Sequence, residues 1–189
     1  YLYMQQWLEY VAHYTVDGLL KKWPDTSYRN WYLGDWATPV GIDQTNPLSV
    51  DLVDNCYIAV CYQTMSKIAS LLNKTDDSRG YKAKYDALTK RIQETFYDVK
   101  GNTYASGTQI DLVYPMLAGV TPDNLKETVL KTLYEVTANR FQGHLATGLV
   151  GIPVLTEWAV KNGQAEWMYQ MLKKRDYPGY LYMLDNGAT

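Results

Sequence analysis

Two stretches of this chain gather rings, glycines and polar side chains densely enough to do chemistry. Trp31-Tyr32-Leu33-Gly34-Asp35-Trp36-Ala37-Thr38-Pro39 sets three aromatics and a carboxylate around a glycine. Trp and Tyr rings stack on the apolar faces of sugar rings, an Asp accepts hydrogen bonds from paired hydroxyls, and Gly34 allows close backbone approach. The same residues also fit a buried Trp anchoring a loop, with Asp35 capping a helix. The second stretch is Gly143-His144-Leu145-Ala146-Thr147-Gly148-Leu149-Val150-Gly151. His144 here could donate to sugar hydroxyls or steer a carboxylate; it equally fits a capping loop that holds a structural histidine.

Two polar groups stand at predicted helix starts. Gln109 and Asp111 open one helix, and Asp51, Asp54 and Asn55 open another. Asp51 and Asp54 are three apart and share a helix face. Glycoside hydrolysis needs two carboxyl groups, one a proton donor and the other a base or nucleophile. An acidic pair at a helix start also simply complements the helix dipole. His13 stands alone on the first helix and reads as a satisfied helix histidine. Two histidines without clustered cysteines do not make a metal site, and no cofactor is expected.

The elements that must position these residues are helical. The chain has 189 residues, enough for one domain with a sizeable core. Its net charge of -2 gives no reason to expect nucleic acid or an anionic membrane as partner. No run of about 20 apolar residues is present to span a membrane. The aromatic content is skewed to 18 Tyr and 6 Trp against 2 Phe, rings that combine an apolar face with a polar handle. Cys56 and Cys61 are five apart on one predicted helix and point to different sides, so they should not bridge.

Apolar residues recur with helical period almost throughout. Trp7, Val11, Thr15 and Leu19 predict a helix over about 2–22, closed by Trp23-Pro24. Further helices are predicted over about 49–73, with Ser49 as N-cap, and over about 78–97. A short one spans Ile110 to Leu117, and a fifth opens at Thr121-Pro122. A sixth carries Pro153 near its start and ends at Asn162-Gly163, and a seventh runs through Met168 and Leu172. No convincing strand longer than a few residues appears. Long connections over 24–48 and 137–148 carry the two aromatic and glycine clusters, and long loops of this kind are often functional. About seven helices without a fixed repeat do not make a solenoid.

Taken in chain order, the motifs resemble one family. They are G-D-W-x-x-P from Gly34, the helix bearing Gln109, H-L-x-T-G-x-x-G-x-P from His144, and N-G-x-A-x-x-x-Y from Asn162. The last is Y-P-G-Y-L-Y-M-x-x-N-G-A-T from Tyr177. Together they resemble the catalytic domain of the bacterial α-L-rhamnosidases, glycoside hydrolase family 78. The chain departs from that pattern at Tyr180 and Leu181, where the family usually has Trp-Gly.

The resemblance implies an all-α chain forming part of an (α/α)6 barrel, the six-hairpin toroid, with residues 1–189 a single fragment of it. It implies removal of terminal α-L-rhamnose with inversion by a bacterial protein, cytoplasmic or periplasmic, whose carbohydrate substrate is a rhamnoside; the alternative readings are another six-hairpin glycosidase, acting on fucosides or uronides, or a non-catalytic helical interaction module. The family's general acid lies in an upstream segment and its base soon after G-A-T-T. Both are expected outside this chain, so the fragment alone is expected to be inactive. Trp36 matches a Trp that packs on the rhamnose ring, and Asp35, Gln109, His144 and Tyr180 match pocket-side positions. Part of a toroid exposes apolar faces meant for other helices. Self-association through those faces, or rearrangement that covers them, is expected.

Overall fold

The computed structural model describes residues 1–22, 32–39 and 45–188; Trp31 and most of the 24–48 connection lie outside them. Among these residues, eight helices and two short antiparallel strand pairs follow in order. Helix α1 (Leu2–Ala12) ends ten residues before the helix predicted from the apolar period would. The chain instead turns back on itself as β1 (Thr15–Val16) and β2 (Leu19–Leu20), with Val16 facing Leu19. The cause lies in Asp17 and Gly18, which adopt φ of 50° and 80°. An Asp-Gly pair with positive φ at both positions makes the tight hairpin turn whose twist suits the strands. A right-handed helix cannot pass through two such residues.

Helix α2 (Pro47–Leu71) starts two residues before the expected Ser49 cap. Asn46 caps it, its side-chain oxygen accepting from the Leu48 amide at 3.0 Å, and Pro47 fills the first helical position, where a missing N–H costs nothing. Helix α3 (Thr75–Phe96) opens with Asp76 and Asp77 in its first turn, where carboxylates complement the dipole. The strands β3 (Tyr97–Asp98) and β4 (Thr103–Tyr104) form a second small hairpin.

Helix α4 (Gln109–Leu117) carries a full capping box between Thr108 and Asp111. Helix α5 (Asp123–Asn139) is capped at Pro122 rather than Thr121; Thr121 is buried and accepts from the Tyr104 hydroxyl at 3.1 Å. Helices α6 (Gly151–Lys161), α7 (Ala165–Leu172) and α8 (Tyr180–Asp185) complete the chain.

Burial divides the helices into two layers. In α4 every residue from Gln109 to Pro115 is buried, the signature of a helix covered on all sides. In α5 only Val129, Leu133 and Thr137 are buried, at a spacing of four, so one stripe faces inward and the rest faces solvent. α3 shows the same stripe through Tyr81, Leu88, Ile92 and Phe96. The hairpins α2/α3, α4/α5 and α6/α7 each pair an inner with an outer helix, and inner α4 packs against both α2 and α6. The result is an arc of helical hairpins with one continuous core. α1 packs Leu8 onto Met65 of α2 and Tyr81 of α3, a smaller second cluster.

Candidate functional site

The N-terminal ends of the inner helices meet at one end of the arc, and buried polar side chains tie them together. Asp111, at the third position of α4, accepts from the Ser49 hydroxyl at 2.5 Å, the Ser106 hydroxyl at 2.7 Å and the amides of Ser106 and Thr108. That fastens the first turn of α2 to the first turn of α4.

Gln109 is fully buried, at 0% exposure. Its amide nitrogen donates to Thr137 Oγ1 at 3.1 Å and to the His144 carbonyl at 3.0 Å, and its Oε1 accepts from the Ala146 amide at 2.8 Å. Every one of its polar groups is therefore committed to holding the loop before α6.

Asp35 plays the same part from the other side. Its two oxygens accept from the Gly148 amide at 2.8 Å and the Gly151 amide at 2.7 Å. A carboxylate at the start of α6 satisfies amides that the helix itself cannot. Burial raises the Asp35 pKa, and the two amide hydrogen bonds oppose that rise. The glycines are required by the fit. A Cβ on Gly148 would lie 2.1 Å from the Trp36 carbonyl oxygen, and one on Gly151 would lie 2.5 Å from Thr147 Cβ. The Leu149 amide donates to the Trp36 carbonyl at 2.7 Å, completing the join.

Asp35 and Gln109, expected to face a sugar, thus stand behind the wall. Asp35 spends its oxygens on backbone amides, and Gln109 spends its amide on Thr137 and on the backbone of His144 and Ala146. His144 is buried as well. Its Nδ1 lies 3.0 Å from the Phe141 carbonyl, which accepts, and its Nε2 faces Asp176 Oδ1 at 3.2 Å without the alignment of a hydrogen bond.

In front of this framework lies a cavity of about 280 Å³. Ala37, Thr38 and Pro39 form one side, Leu145, Thr147 and Ile152 a second, and the segment from Tyr177 to Met183 the third. Its described lining holds rings, methyls and hydroxyls and carries no carboxylate. Trp36, 46% exposed, adjoins the first wall, and Tyr180, 38% exposed, belongs to the third. Thr147, Tyr177 and Tyr182 were not singled out from sequence as site residues, although each lies inside a motif that was.

The acidic pair on α2 lies apart from these walls. Asp51 accepts from the Tyr32 hydroxyl at 2.9 Å and pairs with Lys21. Asp54 Oδ2 is shielded and has no partner among the described residues. Burial, and then the neighbouring Asp51 charge, push the Asp54 carboxyl up to about 7. Among the described residues no group of three or more His, Cys, Asp or Glu could hold a metal ion. Cys56 and Cys61 are both free.

An arc of two-layered helical hairpins whose inner helices present their starts to a ring-lined cavity defines a class: the six-hairpin glycosidases. The family model for the bacterial alpha-L-rhamnosidase six-hairpin glycosidase domain matches residues 1–189, and the chain belongs to that family. Among curated relatives, the alpha-L-rhamnosidase of Formosa agariphila is 26% identical over 161 residues, covering 82% of this chain and 17% of that protein. The alpha-L-rhamnosidase of Streptomyces avermitilis is 26% identical over 183 residues, covering 97% of this chain and 16% of that protein.

Two solved structures show the same arrangement. Alpha-L-rhamnosidase from Dictyoglumus thermophilum superposes with a TM-score of 0.85 at 25% identity, covering 98% of this chain and 20% of that one. The Streptomyces avermitilis enzyme, complexed with L-rhamnose, superposes with a TM-score of 0.79 at 22% identity, covering 97% and 16%. The chain spans less than a fifth of the length of the curated relatives it matches, and its fold is part of the (α/α)6 barrel.

Proposed function

We propose that residues 1–189 form one side of the catalytic domain of a glycoside hydrolase that removes terminal α-L-rhamnose with inversion. The cavity beside Trp36 is the face that holds the sugar. One observation carries this reading above the others: three motifs far apart in sequence, G-D-W-x-x-P, H-L-x-T-G and Y-P-G-Y-L-Y-M, supply its three walls. A mostly apolar cavity with a few hydroxyls suits a deoxysugar, whose methyl and ring carbons are apolar and whose hydroxyls need partners. Trp36 and Tyr180 are the stacking surfaces, while Asp35, Gln109 and His144 hold the loops that carry the walls.

Inverting hydrolysis places an acid and a base on opposite faces of the sugar, separated by room for a water. The acid and base are assigned to other parts of the enzyme, as the family resemblance implies, and this side supplies the sugar-holding wall. The relatives' names and the rhamnose complex of one of them support the substrate class.

The test is binding of L-rhamnose followed by tryptophan fluorescence, with D-glucose as control. Rhamnose should bind and glucose should not. Trp36→Ala should weaken rhamnose about fivefold without unfolding the protein, an aromatic face being worth on the order of 1 kcal/mol. Equal binding by wild type and Trp36→Ala would remove Trp36 from the site, and indifference to rhamnose would sink the reading.

A further inference from the structure

The third wall of the cavity is weakly anchored. Helix α8 buries none of its residues, and no α8 residue joins the apolar core. Its local supports come from its own neighbourhood. Arg175 donates to both oxygens of Asp185 at 2.8 and 2.7 Å, and the rings of Tyr177 and Tyr182 meet edge to face at 5.7 Å. These shape the segment but do not fix it against the rest of the molecule.

Among the described residues, a single polar contact crosses from the loop of 173–179 to the loop of 140–150. It joins His144 Nε2 and Asp176 Oδ1, 3.2 Å apart. The two partners differ sharply in exposure. The His144 side chain is only 4% exposed and its Nδ1 is held by the Phe141 carbonyl; its own carbonyl is held by Gln109. The Asp176 side chain is 66% exposed. A fixed imidazole therefore meets a carboxylate at the edge of a segment that needs an anchor. The residue after His144 lines the second wall and the residue after Asp176 lines the third.

We infer that Asp176 is a positioning residue: through His144 it sets the Tyr177–Met183 wall against the Leu145–Thr147 wall and so fixes the width of the cavity. Asp176 Oδ1 and His144 Nε2 stand 3.2 Å apart, close enough for a charge-assisted contact. The other charge near the carboxylate is Lys174. Behind the His144 carbonyl stands Gln109, which is neutral. The Asp176 carboxyl is held below its ordinary value, first by a backbone amide and then by His144 and Lys174. Protonating Asp176 removes its charge, so acid weakens the contact.

This inference rests on the sugar-binding reading for its consequence but not for its geometry, and the experiment separates the two. Asp176→Ala and Asp176→Glu are made in the full chain. Amide hydrogen exchange is followed across α8, with α2 and α3 as internal controls, and L-rhamnose binding is measured by calorimetry. Asp176→Ala should speed exchange of the α8 amides about threefold and weaken rhamnose to a similar degree, as expected for loss of one partly exposed charge contact. Exchange in α2 and α3 should not change, and Asp176→Glu should recover most of the binding. Faster α8 exchange in a protein that never binds rhamnose supports the clasp and overturns the sugar reading. Unchanged α8 exchange in Asp176→Ala overturns the clasp whatever the sugar does.

Discussion

Asp54 keeps a carboxylate oxygen where, among the described residues, no donor reaches it. Burial and the nearby Asp51 lift its pKa from 3.8 to about 7. A raised carboxyl pKa means that folding takes up a proton, so stability falls as pH rises from about 4 to about 7. Asp54→Asn removes that dependence. It should match the wild type near pH 4 and be more stable at pH 8. One pKa unit corresponds to about 1.4 kcal/mol, so partial exposure leaves a gain on the order of 2 kcal/mol. Urea unfolding at the two pH values measures it, and an identical difference at both would refute the proposed burial cost. The sequence showed that Asp51 and Asp54 share a helix face. It could not show that Lys21 and Tyr32 attend one and leave the other bare, because those partners come from other elements. Asp35 and Gln109 show the same limit. Their polar character was plain in the sequence, but whether it faced a ligand or a backbone amide depended on partners up to 116 residues away.

At the scale of elements, the loop before α6 is fitted by two glycines that leave no room for a methyl. Gly148→Ala would drive a Cβ into the Trp36 carbonyl oxygen, a backbone atom that cannot swing aside. The expected loss is about 3 kcal/mol, the upper end for overpacking. Gly163→Ala is the contrast: its φ of 69° strains an alanine, but nothing lies within 4 Å, so about 1 kcal/mol is expected. Denaturation midpoints compare them, and equal losses would contradict the close fit at Gly148. The helices of this layer were legible because each outer one repeats an apolar residue every three or four positions. The hairpin after α1 was not, since Thr15 and Leu19 fit a helical spacing while Asp17-Gly18 dictate a turn. α8 escaped notice because six residues are too few to show a period.

The whole molecule leaves an apolar groove of about 520 Å³ between α1 and α2, lined by Tyr3, Met4, Trp7 and Tyr57 among others. Tyr3 is 83% exposed, and a contiguous apolar surface of this kind seeks cover. Self-association of residues 1–189 through this face is the expected outcome. Light scattering should report mass rising with concentration, and Trp7→Lys should shift it toward the monomer. A concentration-independent monomer in the wild type would count against it.

The bonds from Asp35 to Gly148 and Gly151 span 113 and 116 residues of sequence. Most other ties in the arc join neighbouring hairpins and can form as soon as those hairpins meet. Closing a loop of that length costs conformational entropy before any contact rewards it. The helical hairpins, built from local contacts, can assemble quickly. The seam beside Trp36 must wait until they are in place. Kinetically, then, the cavity wall is expected to be a late event, the Asp35 seam closing after the hairpins of the arc have met.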